Sequence, residues 1–499
     1  MEFTSILDLR KSPYKGDTRP GFLTDLNLNQ IIERICVLWG ADVREYYDYL
    51  PADKECEDYR RAVMQDVKKG TLYAELMRFV KKMGEYKECC ANKGKVRMDL
   101  QKAAWQVKEV VQYGEALQML QNSLEKAQIS SQGMQALKEH LQNYLTSQEF
   151  IKMYQEAVAL STQMGSFRFR LTYENNLVIL TEEEGLGAYE DFLHDSFYGQ
   201  EKRMKSPFSN TLELNSLEQE VLLILQKKKP EFFKALTEFY KKYMVYAKQE
   251  LIDLSAEMTY YLSYYKFEQK MQELGFAFTM PSCNREQEMF ATGLYDLALA
   301  CVNSQEQKEV TANDMVYHES EQFLVVTGPN QGGKTTFARS LGQLIYFCKM
   351  GLDVPALAAN VHWFAYILTH FSVEESIETG RGKLQEELIR LQPMMTESYR
   401  EAFVIINELF TTAANYDACI MGQKVLQHFI GQGCRGIYVT HLKELTQAHE
   451  SVVSMRAMLD EQGRQNHKIV RREPDDVACA INQVNKYQLT YAQLKERLS

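Results

Sequence analysis

The eight residues Gly328-Pro329-Asn330-Gln331-Gly332-Gly333-Lys334-Thr335 constrain this chain more than any other feature. They fit G-x-x-x-x-G-K-[ST] in full, with the apolar run Phe323–Val326 feeding in and a helical run, Thr335–Cys348, leading out. Strand, tight loop and helix must therefore follow one another here. Glycines at these positions let backbone N–H groups curl around phosphate oxygens, and the N-terminus of the next helix adds positive potential. The expected cradle is Gly328, Pro329, Asn330, Gly332, Gly333 and Thr336. Lys334 is expected to reach the β and γ oxygens of ATP, and Thr335 to offer its hydroxyl to Mg2+.

A carboxylate should sit at the end of a second apolar strand. Phe403–Ile406 ends in Asn407-Glu408. Many such ATPases carry Asp and then Glu there, the first supporting the magnesium shell and the second polarising the attacking water. Thr335, Asn407 and Glu408 are thus the expected metal-side residues. An amide at 407 can hydrogen-bond a metal-bound water but brings no charge, which predicts weaker Mg2+ retention and slow turnover. A third strand, Gly436–Thr440, ends at His441, placed to touch the γ-phosphate or its water. Glu408, His441 and Lys334 are the expected catalytic set.

Proline is absent between Pro51 and Pro207 and between Pro230 and Pro281. Proline breaks helix interiors, so these gaps permit long helices. Leu100–Val111 and Ala116–Ala127 carry apolar residues at three-to-four spacing, and Phe232–Leu274 reads as one very long helix or two nearly continuous ones. Tyr260, Tyr261, Tyr264 and Tyr265 read as core packing rather than a base-stacking platform. Phe167–Tyr173 alternates with period two and Leu177–Leu180 follows Asn175-Asn176, which predicts a hairpin. From about residue 321, short runs at Phe323–Val326, Trp363–Leu368, Phe403–Ile406 and Gly436–Val439 alternate with helical stretches, predicting a parallel sheet. The expected fold class is α followed by α/β. Residues 1–285 would form the helical domain, with a small β insert near 166–181, and residues 286–499 the nucleotide domain.

The net charge is −10, from 57 Lys and Arg against 67 Asp and Glu, so any nucleic-acid contact must come from a local patch. Residues 60–108 are such a candidate, with Lys81, Lys82, Lys87, Lys93, Lys95 and Arg97, as are Lys202, Arg203 and Lys205, and Lys227–Lys229. No secretory signal and no membrane span are read, and the ten cysteines lack a C-x-x-C pair. A cytoplasmic protein with reduced thiols is expected.

Thr327–Asn330 with Gly332–Thr336, Asn407-Glu408 with Thr411–Asp417, and Thr440–Thr446 together resemble the ATPase domain of the MutS family of DNA mismatch repair proteins. Asp25–Ile31 and Tyr59–Val63 resemble the start of that family's helical core. The resemblance implies a P-loop ABC-type ATPase domain on core and lever helices. Thr379-Gly380-Arg381-Gly382 looks like part of the signature loop that contacts nucleotide in the opposing subunit, with Lys383 as a cationic trans contact. A homodimer is implied, with Asp476–Leu498 packing at its interface. The family's mismatch reader has no counterpart ahead of residue 20, so a short member acting on structured DNA is expected. An RNA- or ribosome-directed ATPase and a non-hydrolysing nucleotide switch that binds a protein partner are the alternatives. Val310 and Thr311 stand where the family stacks adenine on an aromatic.

Overall fold

A computed structural model describes residues 3–8, 20–48, 50–51, 53–174, 177–182, 214–306, 308–372, 382–460, 462, 464–474 and 495. Helices α1 (Phe22–Asp25), α2 (Leu28–Trp39), α3 (Lys54–Val67), α4 (Leu72–Lys95), α5 (Asp99–Lys126), α6 (Gln132–Leu145) and α7 (Gln148–Ser166) precede a hairpin of β1 (Phe169–Glu174) and β2 (Leu177–Glu182). Then come α8 (Ser216–Lys228), α9 (Pro230–Lys242) and α10 (Gln249–Glu273). The rest alternates: β3 (Met289–Leu294), α11 (Leu297–Glu306), β4 (Asn313–Tyr317), β5 (Phe323–Thr327), α12 (Lys334–Lys349), β6 (Ala358–Asn360) and β7 (Tyr366–Phe371). After these follow α13 (Lys383–Thr396), β8 (Ala402–Asn407), α14 (Asn415–Gly431), β9 (Arg435–Val439), β10 (Val452–Leu459) and β11 (Gln465–Arg471). The chain divides into two compact units, Met1–Thr4 with Asp66–Met258 and Ser5–Gln65 with Thr259–Ser499.

In the first unit α5 is central, because α4, α6, α7 and α9 all pack on it. Leu72, Leu76, Phe79, Met83 and Tyr86 recur at three-to-four spacing and form the buried stripe of α4. Of the two readings of Phe232–Leu274, one long helix or two nearly continuous ones, the structure shows two, broken between α9 and α10. Freed backbone groups are met by α5 and α6, where the Tyr144 hydroxyl donates to the Tyr246 carbonyl at 3.1 Å. Gln106 Nε2 donates to the Tyr243 carbonyl at 2.6 Å, and the Lys248 N–H donates to the Tyr113 hydroxyl at 3.2 Å. Tyr246 turns inward and donates to the Glu109 carboxylate at 3.0 Å. The hairpin pairs Phe169 with Glu182 and Glu174 with Leu177, and its Asn175-Asn176 turn lies outside the described residues.

Asp66 is the polar anchor of this unit. It is fully buried and accepts the N–H groups of Ser130 and Ser131 at 2.9 and 2.7 Å, ahead of α6, while Lys69 Nζ donates at 2.7 Å. Burial opposes its ionisation, but Lys69 and the serine donors outweigh burial and hold the carboxyl below its usual range. Its contribution to stability is present above the unfolded carboxylate value and is lost as pH falls through the lower folded value. Asp66→Ala is expected to cost about 3 kcal/mol, because the buried Ser131 amide, the Ser130 amide and Lys69 lose their acceptor. Chemical denaturation at pH 7 and at pH 3 checks both statements. The difference between wild type and variant should shrink at the lower pH.

In the second unit β5, β8 and β9 lie inside a six-stranded sheet of order β11-β10-β5-β9-β8-β7, parallel except for β11. β5 and β8 are buried along their whole length, so they read as short continuous apolar runs. β7 starts at Tyr366 rather than Trp363. A second antiparallel sheet, β4-β3-β6, was not visible in the sequence, nor were β10 and β11. Tyr260, Tyr261 and Tyr264 are core residues, each fully buried with its hydroxyl on a backbone carbonyl, of Met350, Ile6 and Asp353 respectively.

The two units do not follow the expected division at residue 285, because Ser5–Gln65 clusters with the sheet. α12 explains it. Gln343 is fully buried and its Nε2 donates to the Leu26 carbonyl at 3.0 Å, while Arg339 Nε donates to the Asp25 carbonyl at 3.0 Å. Gly342 permits this approach, since a Cβ there would stand 2.4 Å from a Leu26 methyl and 2.8 Å from Ile405 Cδ1.

Candidate functional site

Strand register brings the three sequence motifs to one edge. Val326 pairs with Val439 and Asn407 pairs with Val439, so Gly328, Glu408 and His441 all follow the carboxyl ends of adjacent parallel strands. That is where open α/β sheets bind ligands. Gly328 has φ +126°, and a Cβ there would meet the Ala457 Cβ at 2.9 Å, so the loop can lie this close to β10 only with glycine at 328.

Lys334 opens α12 and is buried. Its Nζ donates to the carbonyls of Gly328 and Pro329 at 2.9 and 3.0 Å, folding the ammonium into the loop. Thr335 Oγ1 donates to Asn407 Oδ1 at 2.9 Å. Glu408 Oε1 lies 3.1 Å from His441 Nε2. That hydrogen bond, with the positive charges of His441, Lys334 and Lys383, outweighs burial and holds the Glu408 carboxyl below its usual range. Glu408 is therefore ionised at neutral pH.

Asn330, Gly332, Gly333, Lys334, Thr335, Thr336, Glu408 and His441 line one cavity of about 620 Å³, a size that suits a nucleotide-scale ligand. Gly328 and Pro329 form the turn that Lys334 grips. Asn407 is buried beneath Thr335 and does not line the cavity. Gly380 lies outside the described residues, as do Thr379, Arg381 and the segment 476–494. Lys383 does not line the cavity either, although its charge acts on Glu408 of the same chain.

The opposite wall was not legible. Tyr295 and Asp296 between β3 and α11, Asn303 on α11, Asn313 on β4 and His467 on β11 complete the cavity. Only the neighbourhood of Thr311 and Asn313 carried a signal, its position ahead of β5. Elsewhere in this unit Glu57, Cys283 and Cys348 bring ligand atoms within 4.8 Å of one another. The Arg61 guanidinium already pairs with Glu57, so this group is a buried ion pair beside two thiols. The cysteines described are all free.

The basic stretch 60–108 is thinner than its composition. Lys93 pairs with Glu109 at 2.6 Å and Lys82 with Glu115 at 3.2 Å, both carboxylates coming from α5. Arg78 pairs with Glu75, and Lys87 donates to the Ser255 hydroxyl.

A mainly parallel sheet with a glycine loop at one strand end and an acidic residue at the next is consistent with an α/β ATPase domain. Residues 324–481 match the family model for MutS domain V. The DNA mismatch repair protein MutS of Exiguobacterium sp. is 26% identical over 148 residues, 30% of this chain and 18% of that protein. The DNA mismatch repair protein msh-2 of Neurospora crassa is 28% identical over 148 residues, 29% of this chain and 16% of that protein. MutS of Chlamydia muridarum is 23% identical over 335 residues, 64% of this chain and 39% of that protein. That last match is longer than the stretch from 324 to the C-terminus, so the likeness runs into the upstream residues. The chain thus spans well under half the length of these relatives. Among the described residues no helix is long and apolar enough to cross a membrane.

Proposed function

We propose that the chain binds ATP with Mg2+ in the cavity at Lys334, hydrolyses it slowly, and works as a dimer on DNA. The observation that carries this reading is the Lys334 ammonium folded into a glycine loop that faces an ionised Glu408 across one cavity. The donor set fits the ligand. The loop offers backbone N–H groups and a cation to phosphates, and Thr335 offers a hard hydroxyl oxygen, which magnesium prefers, with Asn407 beneath it accepting the Thr335 hydroxyl proton. When bound, magnesium neutralises phosphate charge. Lys334 exchanges its carbonyl contacts for phosphate oxygens. Glu408 takes a proton from the attacking water, and His441 holds that carboxylate in place. Dimerisation and movement of the long helices with nucleotide state complete the reading. The relatives are DNA mismatch repair proteins, which supports DNA as the partner, and a soluble, cytoplasmic setting agrees with that.

The test is ATP turnover with and without homoduplex, mismatched duplex, branched junction, single strand and ribosomes, at one stated salt concentration. Gel shifts with the same DNAs accompany it. Turnover stimulated by a DNA substrate, with nucleotide-dependent binding, is the expected result. ATP-sensitive co-sedimentation with ribosomes and no DNA response would overturn the choice of DNA.

Asn407 supplies a sharper prediction. A charged acceptor is worth about 1 kcal/mol more than a neutral one in such a contact. Asn407→Asp is therefore expected to lower the Mg2+ concentration for half-maximal turnover about fivefold. An unchanged magnesium titration would remove Asn407 from the metal side of the site.

A further inference from the structure

We infer that Glu387 is a positioning residue for Glu408, acting through the backbone amide of Phe410; the inference rests on the ATPase reading above. Glu387 lies on α13 and its side chain is fully buried. Its Oε2 accepts the Phe410 N–H at 3.0 Å, and its Oε1 is buried with no hydrogen-bond partner among the described residues. A carboxylate in such surroundings is costly, and an apolar side chain would be cheaper there. The turn it grips explains its presence. Glu408 has φ +54° and Phe410 φ +63°, conformations that residues with side chains hold only when neighbours impose them.

The turn has two clamps. The Glu408 N–H donates to the Val439 carbonyl at 2.9 Å, tying its start to β9. Glu387 ties its end to α13. α13 is itself fixed to β7, since His370 Nε2 donates to the Glu387 carbonyl at 3.2 Å and Arg390 Nη1 donates to the Phe371 carbonyl at 2.9 Å. Between the clamps the Glu408 side chain reaches His441. Without the second clamp the turn relaxes toward ordinary backbone angles, and the carboxylate leaves its place beside His441. Lys383, one helical turn before Glu387, acts electrostatically on both carboxylates. It places positive charge on the same face of α13.

The experiment compares Glu387→Met, Glu387→Gln and Glu408→Gln in the full chain. Three quantities are read: kcat, KM for ATP, and hydrogen–deuterium exchange of amides 408–412. Glu387→Met is expected to lower kcat at least tenfold with KM within twofold, and to speed exchange at Phe410. Glu387→Gln keeps an oxygen for the same N–H, so kcat should stay within threefold and protection should persist. If the Met variant does not fold, Glu387→Asp, which withdraws the acceptor by one methylene, should shift both readouts in the Met direction. Full kcat and full protection in the Met variant, or equal losses in Met and Gln, would overturn the inference. If Glu408→Gln leaves turnover intact, the ATPase reading fails instead, and the exchange comparison still decides whether Glu387 holds the turn.

Discussion

Glu408→Gln is expected to lower ATP turnover by about 100-fold or more while nucleotide uptake stays within about threefold. A positioned general base contributes roughly 10²- to 10⁴-fold to a rate, and the amide cannot take a proton. Uptake depends instead on the loop and on Lys334, which the substitution leaves in place. The His441 hydrogen bond and the surrounding positive charges hold the Glu408 carboxyl below the usual carboxylate range. The base is consequently ionised at every pH above that range and loses its charge only as pH falls through the lowered value. Between pH 5 and 8 the wild-type rate should carry no acid limb from Glu408. Phosphate release across that range, together with binding of labelled ATP, measures both quantities. Turnover in the Gln variant within twofold of wild type would remove Glu408 from the chemistry.

Lys334, Glu408 and His441 were legible in the sequence because each follows a strand buried on both faces. Such strands appear as short apolar runs, and the residue after the run marks the sheet edge. The loop was legible because glycine spacing and a following Lys-Thr pair serve one purpose. Tyr295, Asp296 and His467 were not, because they come from separate segments with no shared spacing. β11 is too polar to announce itself: Gln465-Asn466-His467-Lys468 leads it. The break between α9 and α10 stayed one of two readings because the apolar spacing continues through Tyr243 and Tyr246. Gln106, Tyr113 and Tyr144, far away in sequence, satisfy groups it frees. The charge balance of the basic stretch is likewise set from elsewhere in the chain, since Glu109 and Glu115 on a neighbouring helix pair with Lys93 and Lys82. Motifs that act locally were visible, whereas walls and charge balances set by tertiary contacts were not.

Lys334→Ala should strike binding rather than turnover. The ammonium is buried and held by the Gly328 and Pro329 carbonyls, so it is already desolvated and aimed within the loop. Exchanging neutral carbonyls for phosphate oxygens adds a charge-assisted contact worth about 1.5–3 kcal/mol, so its loss lowers ATP affinity by roughly 10- to 150-fold. A second effect follows from the same atom. The Lys334 charge is one of the influences that lower the Glu408 carboxyl, so its removal lets that carboxyl rise toward its ordinary value. The acid limb of any residual turnover should then move to higher pH than in wild type. Lys334→Met keeps most of the side-chain volume and should reproduce both effects, which separates charge from packing. Titration of labelled ATP with Mg2+ measures the first and the pH profile the second. A Lys334→Ala chain that takes up ATP as tightly as wild type would leave the cavity without its phosphate anchor and the ATPase reading without support.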